Sequence, residues 1–234
     1  MSHPAVPAPT LRAPLPVAPT LVRLGRAIAT LELPAIEKIA EEMMGDAFQV
    51  LISTMLSAQT RDAVTLGASL RLFAVAPDPA RLARLSAERI ETLIYPVSFY
   101  RNKAVYLKDT ARLLLERHDG QVPTTMEALT ALPGVGRKTA NLTLIVACRS
   151  TANICVDTHV HRIANRVGWV RTRTPEQTER ALYAVVPRRW WAGVNLHLVT
   201  WGQHVCKPVF PQCGRCLLND RCPRINVIRE GRVA

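Results

Sequence analysis

The segment Leu132-Pro-Gly-Val-Gly-Arg-Lys-Thr-Ala-Asn-Leu142 constrains this chain more than any other stretch. An apolar helical pattern ends at its first residue, and the following proline cannot continue it. Gly134 and Gly136 permit a tight turn and the close approach of another backbone. A second helix begins near Arg137, so its N-terminal N–H groups and positive dipole end suit an anionic phosphate. The sequence predicts a helical hairpin that grips a phosphate; an interhelical turn with a solvated lysine is the alternative.

Two residues in or near this hairpin are candidates for catalysis. Lys138 lies in the first turn of the second helix beside Arg137, where a neighbouring cation and the helix dipole favour a neutral, nucleophilic amine. Asp157 precedes an amphipathic segment and takes an N-cap position, where capping alone would explain an aspartate. Its carboxylate could also stabilise the positive charge that develops on a sugar when an N-glycosidic bond breaks.

The C-terminal region contains four clustered cysteines with six, two and five residues between successive members. The N-terminal residues do not read as a secretory signal, so the cluster predicts metal ligands rather than disulfides. Four thiolates can hold zinc or a [4Fe–4S] cluster, and the spacing alone favours zinc. Basic residues between the ligands predict a prong that faces phosphates. The cysteines are Cys206, Cys213, Cys216 and Cys222, and the basic residues are Lys207, Arg215, Arg221 and Arg224.

The chain carries a formal net charge of +12, with 30 Lys and Arg against 18 Asp and Glu. Residues 158–234 contribute 13 Lys and Arg against 4 Asp and Glu, which places most of the excess charge in the C-terminal part. This balance predicts a nucleic-acid partner, with simple solubility as the alternative. Apolar residues recur at helical spacing, which predicts an all-α chain, and no window is long enough to span a membrane.

Together these motifs resemble the endonuclease III family of DNA glycosylases. The resemblance also includes Leu56-Ser57-Ala58-Gln59, Phe99–Ala104 and Val156-Asp157-Thr158-His159, and it spans roughly residues 31 to 225. It implies two helical domains with the active site in the cleft between them. A six-helix barrel-type domain with the helix-hairpin-helix is expected over 46–157. An iron–sulfur domain is expected from 21–45 together with 158–234, and residues 1–20 are expected to form a mobile tail rich in Pro and Ala.

The resemblance also implies an activity and the residues that perform it. The chain is expected to be a bifunctional DNA glycosylase and abasic-site lyase of base excision repair, which removes oxidised pyrimidines such as thymine glycol from double-stranded DNA and nicks the strand by β-elimination. Lys138 would form the Schiff base, Asp157 would be the catalytic aspartate, and the four cysteines would hold a [4Fe–4S] cluster. We expect a monomer in the cytoplasm, associated with a bacterial nucleoid, because the N-terminus is poor in Ser and Arg and does not read as an organelle transit peptide.

Several further residues are expected to contact DNA. Gln59 would fill the gap left by a flipped nucleotide and Phe99 would act as a wedge; a helix-end polar residue and a core anchor are the respective alternatives. The remaining expected contacts are Gly134, Val135, Gly136, Arg137, His159, Lys207 and Arg215, whereas His161 is expected at the surface. The chain departs from the family at Ser98, where glycine is common, and at Trp201-Gly202-Gln203, where His-Gly-Arg is common. These departures bear on damage specificity and DNA affinity.

Three other functions fit parts of the pattern. A monofunctional adenine or mismatch-thymine glycosylase would share the fold and the cluster, but those relatives lack the lysine found here at Lys138. A non-catalytic DNA-binding protein with a metal staple would not need both Lys138 and Asp157. A redox-sensing regulator would lose its cluster reversibly and change its DNA affinity without cleaving a strand.

Overall fold

The computed structural model describes residues 12–42 and 46–231, and every regular element in those ranges is helical. This confirms the all-α prediction. Two single 3-10 turns, Arg188–Trp190 and Cys213–Arg215, accompany the α-helices. The α-helices are α1 Val17–Ile28, α2 Ala35–Glu42, α3 Ala47–Ser57, α4 Asp62–Val75, α5 Pro79–Arg84, α6 Ala87–Ile94, α7 Tyr100–His118, α8 Met126–Thr130, α9 Arg137–Val146, α10 Thr158–Arg166, α11 Pro175–Val185 and α12 Gly193–His204.

Six of these helices begin at a side chain that accepts a hydrogen bond from the first turn, which satisfies an N–H group that has no partner inside the helix. The capping residues are Asp46, Asp78, Ser86, Thr125, Asp157 and Thr174. Helix α5 begins within the proline-rich segment Pro77-Asp78-Pro79. Pro79 is its first residue, a position where the missing N–H costs nothing.

The chain forms two compact units. Of the described residues, the first unit contains 12–31, 156–190 and 197–231, and the second contains 32–42, 46–155 and 191–196. Both units are discontinuous in sequence, because the chain leaves the first unit after α1 and returns to it just before Asp157. Helix α12 begins in the second unit and ends in the first.

The second unit is built around one aliphatic core that α3 to α9 supply. Leu51, Leu72, Leu107 and Leu129 are fully buried in it. Helix α7 is the longest and packs against α5 and α6. The Thr110 hydroxyl on α7 donates to the carbonyl oxygen of Pro133 at 3.0 Å, so the core helix directly supports the hairpin between α8 and α9.

The first unit includes part of the predicted N-terminal tail. Residues 1–11 lie outside the described residues, but Leu15 is buried and its N–H donates to the Val167 carbonyl at 2.9 Å. The indole N–H of Trp169 donates back to the Leu15 carbonyl at 3.0 Å. The buried Leu15 anchors this segment, and helix α1 begins two residues later, at Val17. The ordered structure thus begins before residue 20, where the predicted tail was expected to end. Among the residues described, no helix is both long and apolar enough to cross a membrane.

Candidate active site

The hairpin between α8 and α9 has the tight geometry that its sequence predicts. Gly134 adopts φ +73°, and a Cβ at this position would lie 2.9 Å from the Tyr106 ring, so both backbone torsion and space require glycine. Gly136 has an ordinary torsion, and nothing lies within 4 Å of where its Cβ would be. It is the N-cap of α9 and makes no side-chain capping bond. The backbone at Gly136 is thus open to a large ligand.

Val135 differs from the sequence expectation of a DNA contact. Its side chain is buried, and its N–H donates to the Leu132 carbonyl at 3.2 Å. Both observations assign it to the interior of the hairpin. By contrast, Arg137 is exposed in the first turn of α9.

Lys138 is half-buried in that same turn. The fully buried Cys155 lies beneath it, with the thiol 3.6 Å from the Lys138 carbonyl oxygen. The buried Asn195 amide donates to the Cys155 carbonyl at 3.1 Å and fixes that segment in turn. The Lys138 backbone is therefore held by the core of the second unit while its side chain reaches the surface.

Asp157 caps α10, as its sequence context predicts. Its Oδ1 accepts both capping bonds, from the N–H groups of His159 at 2.8 Å and Val160 at 2.9 Å. The guanidinium of Arg162 lies 3.1 Å from His159 Nδ1. Because a guanidinium only donates, Nδ1 must accept, which places the imidazole proton on Nε2. His161 is half-buried and contacts the Thr178 hydroxyl at 2.6 Å, in contrast to the surface position expected for it.

The Gln59 turn and the Phe99 loop share an unusual backbone conformation. Both residues are exposed and both have φ +56°, in the left-handed region that disfavours side chains with a Cβ. Phe99 is 64% exposed, which rules out the core-anchor alternative. Ser98, where glycine was expected, has no positive φ; its N–H donates to the Thr60 hydroxyl at 3.2 Å.

A buried lysine near these loops was not identified from the sequence. Lys103 on α7 is only 9% exposed, and its ammonium contacts the end of α3. Burial, with a smaller contribution from the positive charge of Lys138, lowers the pKa of Lys103 to about 8. The motif Arg101-Asn102-Lys103-Ala104 offered no signal, because lysine in a helix normally indicates a solvated face.

In the first unit, the four clustered cysteines line one cavity with a volume of about 30 Å³. Burial is the main cause that raises the pKa of the thiols of Cys213, Cys216 and Cys222, and neighbouring cysteines add to it. Thiolates in this cavity therefore need a positive partner, and a thiolate-bound metal centre fits the donor set. Within the described ranges, no three His, Cys, Asp or Glu side chains form a group arranged to hold a metal ion.

Arg166 and Trp201 also line this cavity, and Arg162 bonds the backbone of one of its cysteines. Arg166 is buried and donates to the Cys206 thiol at 3.4 Å and to the Lys207 carbonyl at 2.7 Å. Arg162 donates to the Cys206 carbonyl at 2.8 Å. The indole of Trp201 is buried in the cavity wall and lowers the pKa of Cys216, against the larger effect of burial. The arginines were missed because charges on an amphipathic helix suggest a solvated face.

The basic side chains between the cysteines fall into two groups. Lys207, Arg215 and Arg221 are exposed and remain candidates for phosphate contact. Arg224 differs from the predicted prong, because its guanidinium is half-buried and bonds Glu230 and Asn219.

Residues 52–188 match the model of the HhH-GPD superfamily of base excision DNA repair proteins, which is more than half of the chain. An endonuclease III of Thermotoga maritima is 48% identical over 177 residues, covering 76% of this chain and 83% of the relative. The chain belongs to the endonuclease III family. Members of this family are DNA glycosylases and abasic-site lyases, so the predicted activity class of base excision repair is confirmed.

Two further relatives extend the comparison. The endonuclease III-like protein 1 of mouse is 46% identical over 178 residues, which cover 75% of this chain but 59% of the mouse protein. A solved structure of a trapped endonuclease III–DNA covalent intermediate, an estranged-adenine complex, matches with a TM-score of 0.76 at 30% identity. The match covers 86% of this chain and 92% of that one.

Proposed function

We propose that this endonuclease III relative removes oxidised pyrimidines such as thymine glycol from double-stranded DNA and then nicks the strand, with Lys138 as the nucleophile. The observation that carries the proposal is the position of Lys138 in the first turn of α9, two residues after the open backbone of Gly136. A phosphate bound at that helix start would place its attached sugar within reach of the amine. The covalent character of the matching DNA complex supports the same step.

In this mechanism the target nucleotide leaves the base stack, and the Lys138 amine attacks C1′ of its sugar. The C1′–N bond to the damaged base breaks, and its electron pair leaves on the base, which takes up a proton. Loss of the amine proton and opening of the sugar ring give an imine at C1′. The imine acidifies C2′, and removal of a proton there expels the 3′ phosphate, which cuts the strand.

Asp157 would serve the same reaction through its second carboxylate oxygen. Both capping bonds fall on Oδ1, so Oδ2 can stabilise positive charge on the sugar or take the proton from the attacking amine. His159, which follows Asp157 in the first turn of α10 and contacts Arg162, would lie close to a phosphate of the same nucleotide.

Trapping with borohydride tests the role of Lys138. Borohydride reduces an imine to a stable amine, so the wild-type protein should give a covalent adduct with an abasic-site duplex. Lys138→Ala should give none, whereas Lys108→Ala, which removes a half-exposed lysine on α7, should give the wild-type yield. An undiminished adduct with Lys138→Ala would refute the assignment.

The preferred lesion needs a separate measurement. Duplexes that carry thymine glycol, uracil, an abasic site or a mismatched adenine should be scored for base release and for nicking independently. We expect base release from thymine glycol, and nicking of both the thymine glycol and the abasic-site duplexes. Release of mismatched adenine without nicking would favour the monofunctional alternative.

We further propose that the cysteine cavity holds a [4Fe–4S] cluster and that the protein acts as a monomer on DNA. The four thiols line one cavity, and their spacing resembles that of the family. When bound, the cluster would supply a structural staple rather than a redox step. Arg162 and Arg166 would hold the Cys206 segment in place, and the exposed Lys207 and Arg215 would contact phosphates.

Metal analysis tests the cluster. Anaerobically purified protein should be brown and contain about four irons per chain. Cys213→Ser should lower the iron content and the DNA affinity, because the loop folds around its metal. Cys148→Ser is the matched control, since that cysteine lies outside the cavity in the second unit and should leave the iron content unchanged. Stoichiometric zinc in protein made with ample iron would contradict the proposal.

A further inference from the structure

Lys103 is a buried cation with a specific set of partners. It sits in the first turn of α7, where its N–H donates to the Phe99 carbonyl at 3.0 Å, and only 9% of the residue is exposed. Burying an ammonium group is costly unless oxygen atoms replace its water shell. An apolar side chain would fill the same space without that cost. The reason for a lysine here therefore lies in the oxygens that it contacts.

Those oxygens belong to the turn that carries Gln59. The Lys103 ammonium donates to the carbonyl oxygens of Leu56 and Ala58, each at 2.7 Å, and to the Thr60 hydroxyl at 3.3 Å. Helix α3 ends at Ser57, so these two carbonyls are among the acceptors that a helix C-terminus leaves without partners inside the helix. The positive charge also suits the negative end of the helix dipole. Lys103 thus fixes the backbone on both sides of the left-handed Gln59.

The same hydroxyl connects this turn to the Phe99 loop. Thr60 Oγ1 accepts from the Ser98 N–H at 3.2 Å as well as from Lys103. One oxygen therefore joins the backbone before Phe99, the ammonium of α7 and the residue after Gln59. All these residues belong to the second unit.

A direct catalytic role for Lys103 does not fit this geometry. All three N–H bonds of the ammonium are directed at protein oxygens, and the group lies beneath the surface. A nucleophile needs a free lone pair and access to the sugar. Lys138 is only half-buried at the start of α9, so its amine has the access to a sugar that Lys103 lacks.

We propose that Lys103, acting through Thr60, is a positioning residue that holds the Gln59 turn and the Phe99 loop in one fixed geometry, so that both side chains enter the DNA together at the lesion. This inference rests on the proposed roles of Gln59 as plug and Phe99 as wedge. Because Lys103 and Thr60 join the two loops before DNA binds, the loops lose less conformational entropy on binding than two independent loops would lose.

The sharpest test uses Thr60, because it leaves the buried charge in place. Thr60→Val removes the hydroxyl at nearly constant volume, and Thr60→Ser keeps the hydroxyl as the matched control. Binding is measured by fluorescence anisotropy with a duplex that carries a tetrahydrofuran abasic analogue and with the same duplex undamaged. We expect Thr60→Val and Lys103→Met to weaken analogue binding about tenfold, as for loss of one or two hydrogen bonds. Binding of undamaged DNA should change little, and Thr60→Ser should match wild type.

Lys108→Met controls for the loss of one positive charge from α7. It should leave the ratio between analogue and undamaged binding unchanged. A fluorescent 2-aminopurine placed opposite the analogue reports directly on the unpaired base. Its emission on complex formation should differ between Thr60→Val and Thr60→Ser, a change that a purely structural role for Thr60 would not produce.

A double-mutant cycle separates failure of this inference from failure of the plug and wedge. If Lys103 acts through the two loops, Thr60→Val should have no further effect in a Gln59→Ala/Phe99→Ala background. An equal effect in both backgrounds would overturn the inference, as would full analogue binding by Thr60→Val alone. Full analogue binding by the Gln59→Ala/Phe99→Ala protein would instead refute the plug and wedge themselves.

Discussion

Replacing Phe99 by alanine separates a residue that acts on DNA from one that holds the fold. The ring is 64% exposed, so about a third of it packs against protein. A buried phenylalanine removes roughly 200 Å² from water. A third of that area, at about 25 cal/mol per Å², corresponds to at most about 2 kcal/mol. Truncation of a core phenylalanine instead costs about 3–5 kcal/mol.

The backbone at Phe99 sharpens this comparison. Its φ of +56° strains any residue with a Cβ, and alanine keeps that strain. Phe99→Gly removes the ring and relieves the strain, so it should be more stable than Phe99→Ala by about 1 kcal/mol. The two variants lose the same wedge, so they should share the same defect on DNA despite their different stabilities.

The assay combines urea denaturation with binding and base excision on a thymine glycol duplex. Tyr95→Ala is the matched control, because Tyr95 is 61% exposed and lies just before the same loop. We expect Phe99→Ala to lose at most about 2 kcal/mol of unfolding free energy and to lose most of its excision activity, while Tyr95→Ala retains it. A Phe99→Ala protein that unfolds early yet has full specific activity when folded would refute the wedge.

Three other variants test separate parts of the site. Gly136→Ala should fold normally but bind DNA more weakly, because only DNA can contact the new methyl group. Gly134→Ala should unfold at a lower urea concentration, because its φ of +73° and the Tyr106 ring both disfavour a Cβ. Equal losses of stability in the two variants would contradict this difference. Asp157→Asn should keep the cap and DNA binding while turnover falls about 100-fold or more, and unchanged turnover would leave only the capping role. The pKa of Lys103 is about 8 in the folded protein, below the value of 10.5 for a free lysine. Between pH 8 and 10.5 the unfolded chain therefore binds more protons than the folded protein, and the free energy of unfolding should rise as the pH rises. The difference in unfolding free energy between the wild type and Lys103→Met, measured with urea, should rise by up to about 1.4 kcal/mol per pH unit. A difference that does not change with pH would exclude the lowered pKa of Lys103.

Local signals in the sequence predicted most of the fold. The start of α10 at the capping residue Asp157 was predicted, because a cap is a property of a few adjacent residues. The start of α5 is ambiguous in the sequence, because a proline such as Pro79 can end one helix and also suits the first turn of another. The start of α1 was placed too late because the burial of Leu15 depends on Val167 and Trp169, which lie far away in sequence.

The residues of the candidate site also differ in how far the sequence could identify them. Lys138, Asp157 and the four cysteines could be proposed as site residues from the sequence, because their chemistry depends on short spacings. Lys103, Arg162 and Arg166 were not found, because each is a charged residue on a helix whose partners are backbone carbonyls distant in sequence. A sequence shows the charge but not the oxygens that will surround it. The left-handed torsion of Phe99 was also not indicated by the sequence, because a phenylalanine does not favour a positive φ.

The hairpin between α8 and α9 couples phosphate binding to the chemistry of Lys138, because one turn of the chain carries both. Six of the other helices begin at a capping side chain, whereas α9 begins at Gly136, which offers none. The phosphate that occupies this helix start would therefore be held by the same turn that carries Lys138. A displacement of that phosphate by about 1 Å would move the sugar away from the amine, and such a misplacement can cost about 100-fold in rate. The methyl group of Gly136→Ala should thus slow imine formation even at saturating DNA, whereas loss of the phosphate contact proposed for Lys207 should be overcome by more DNA.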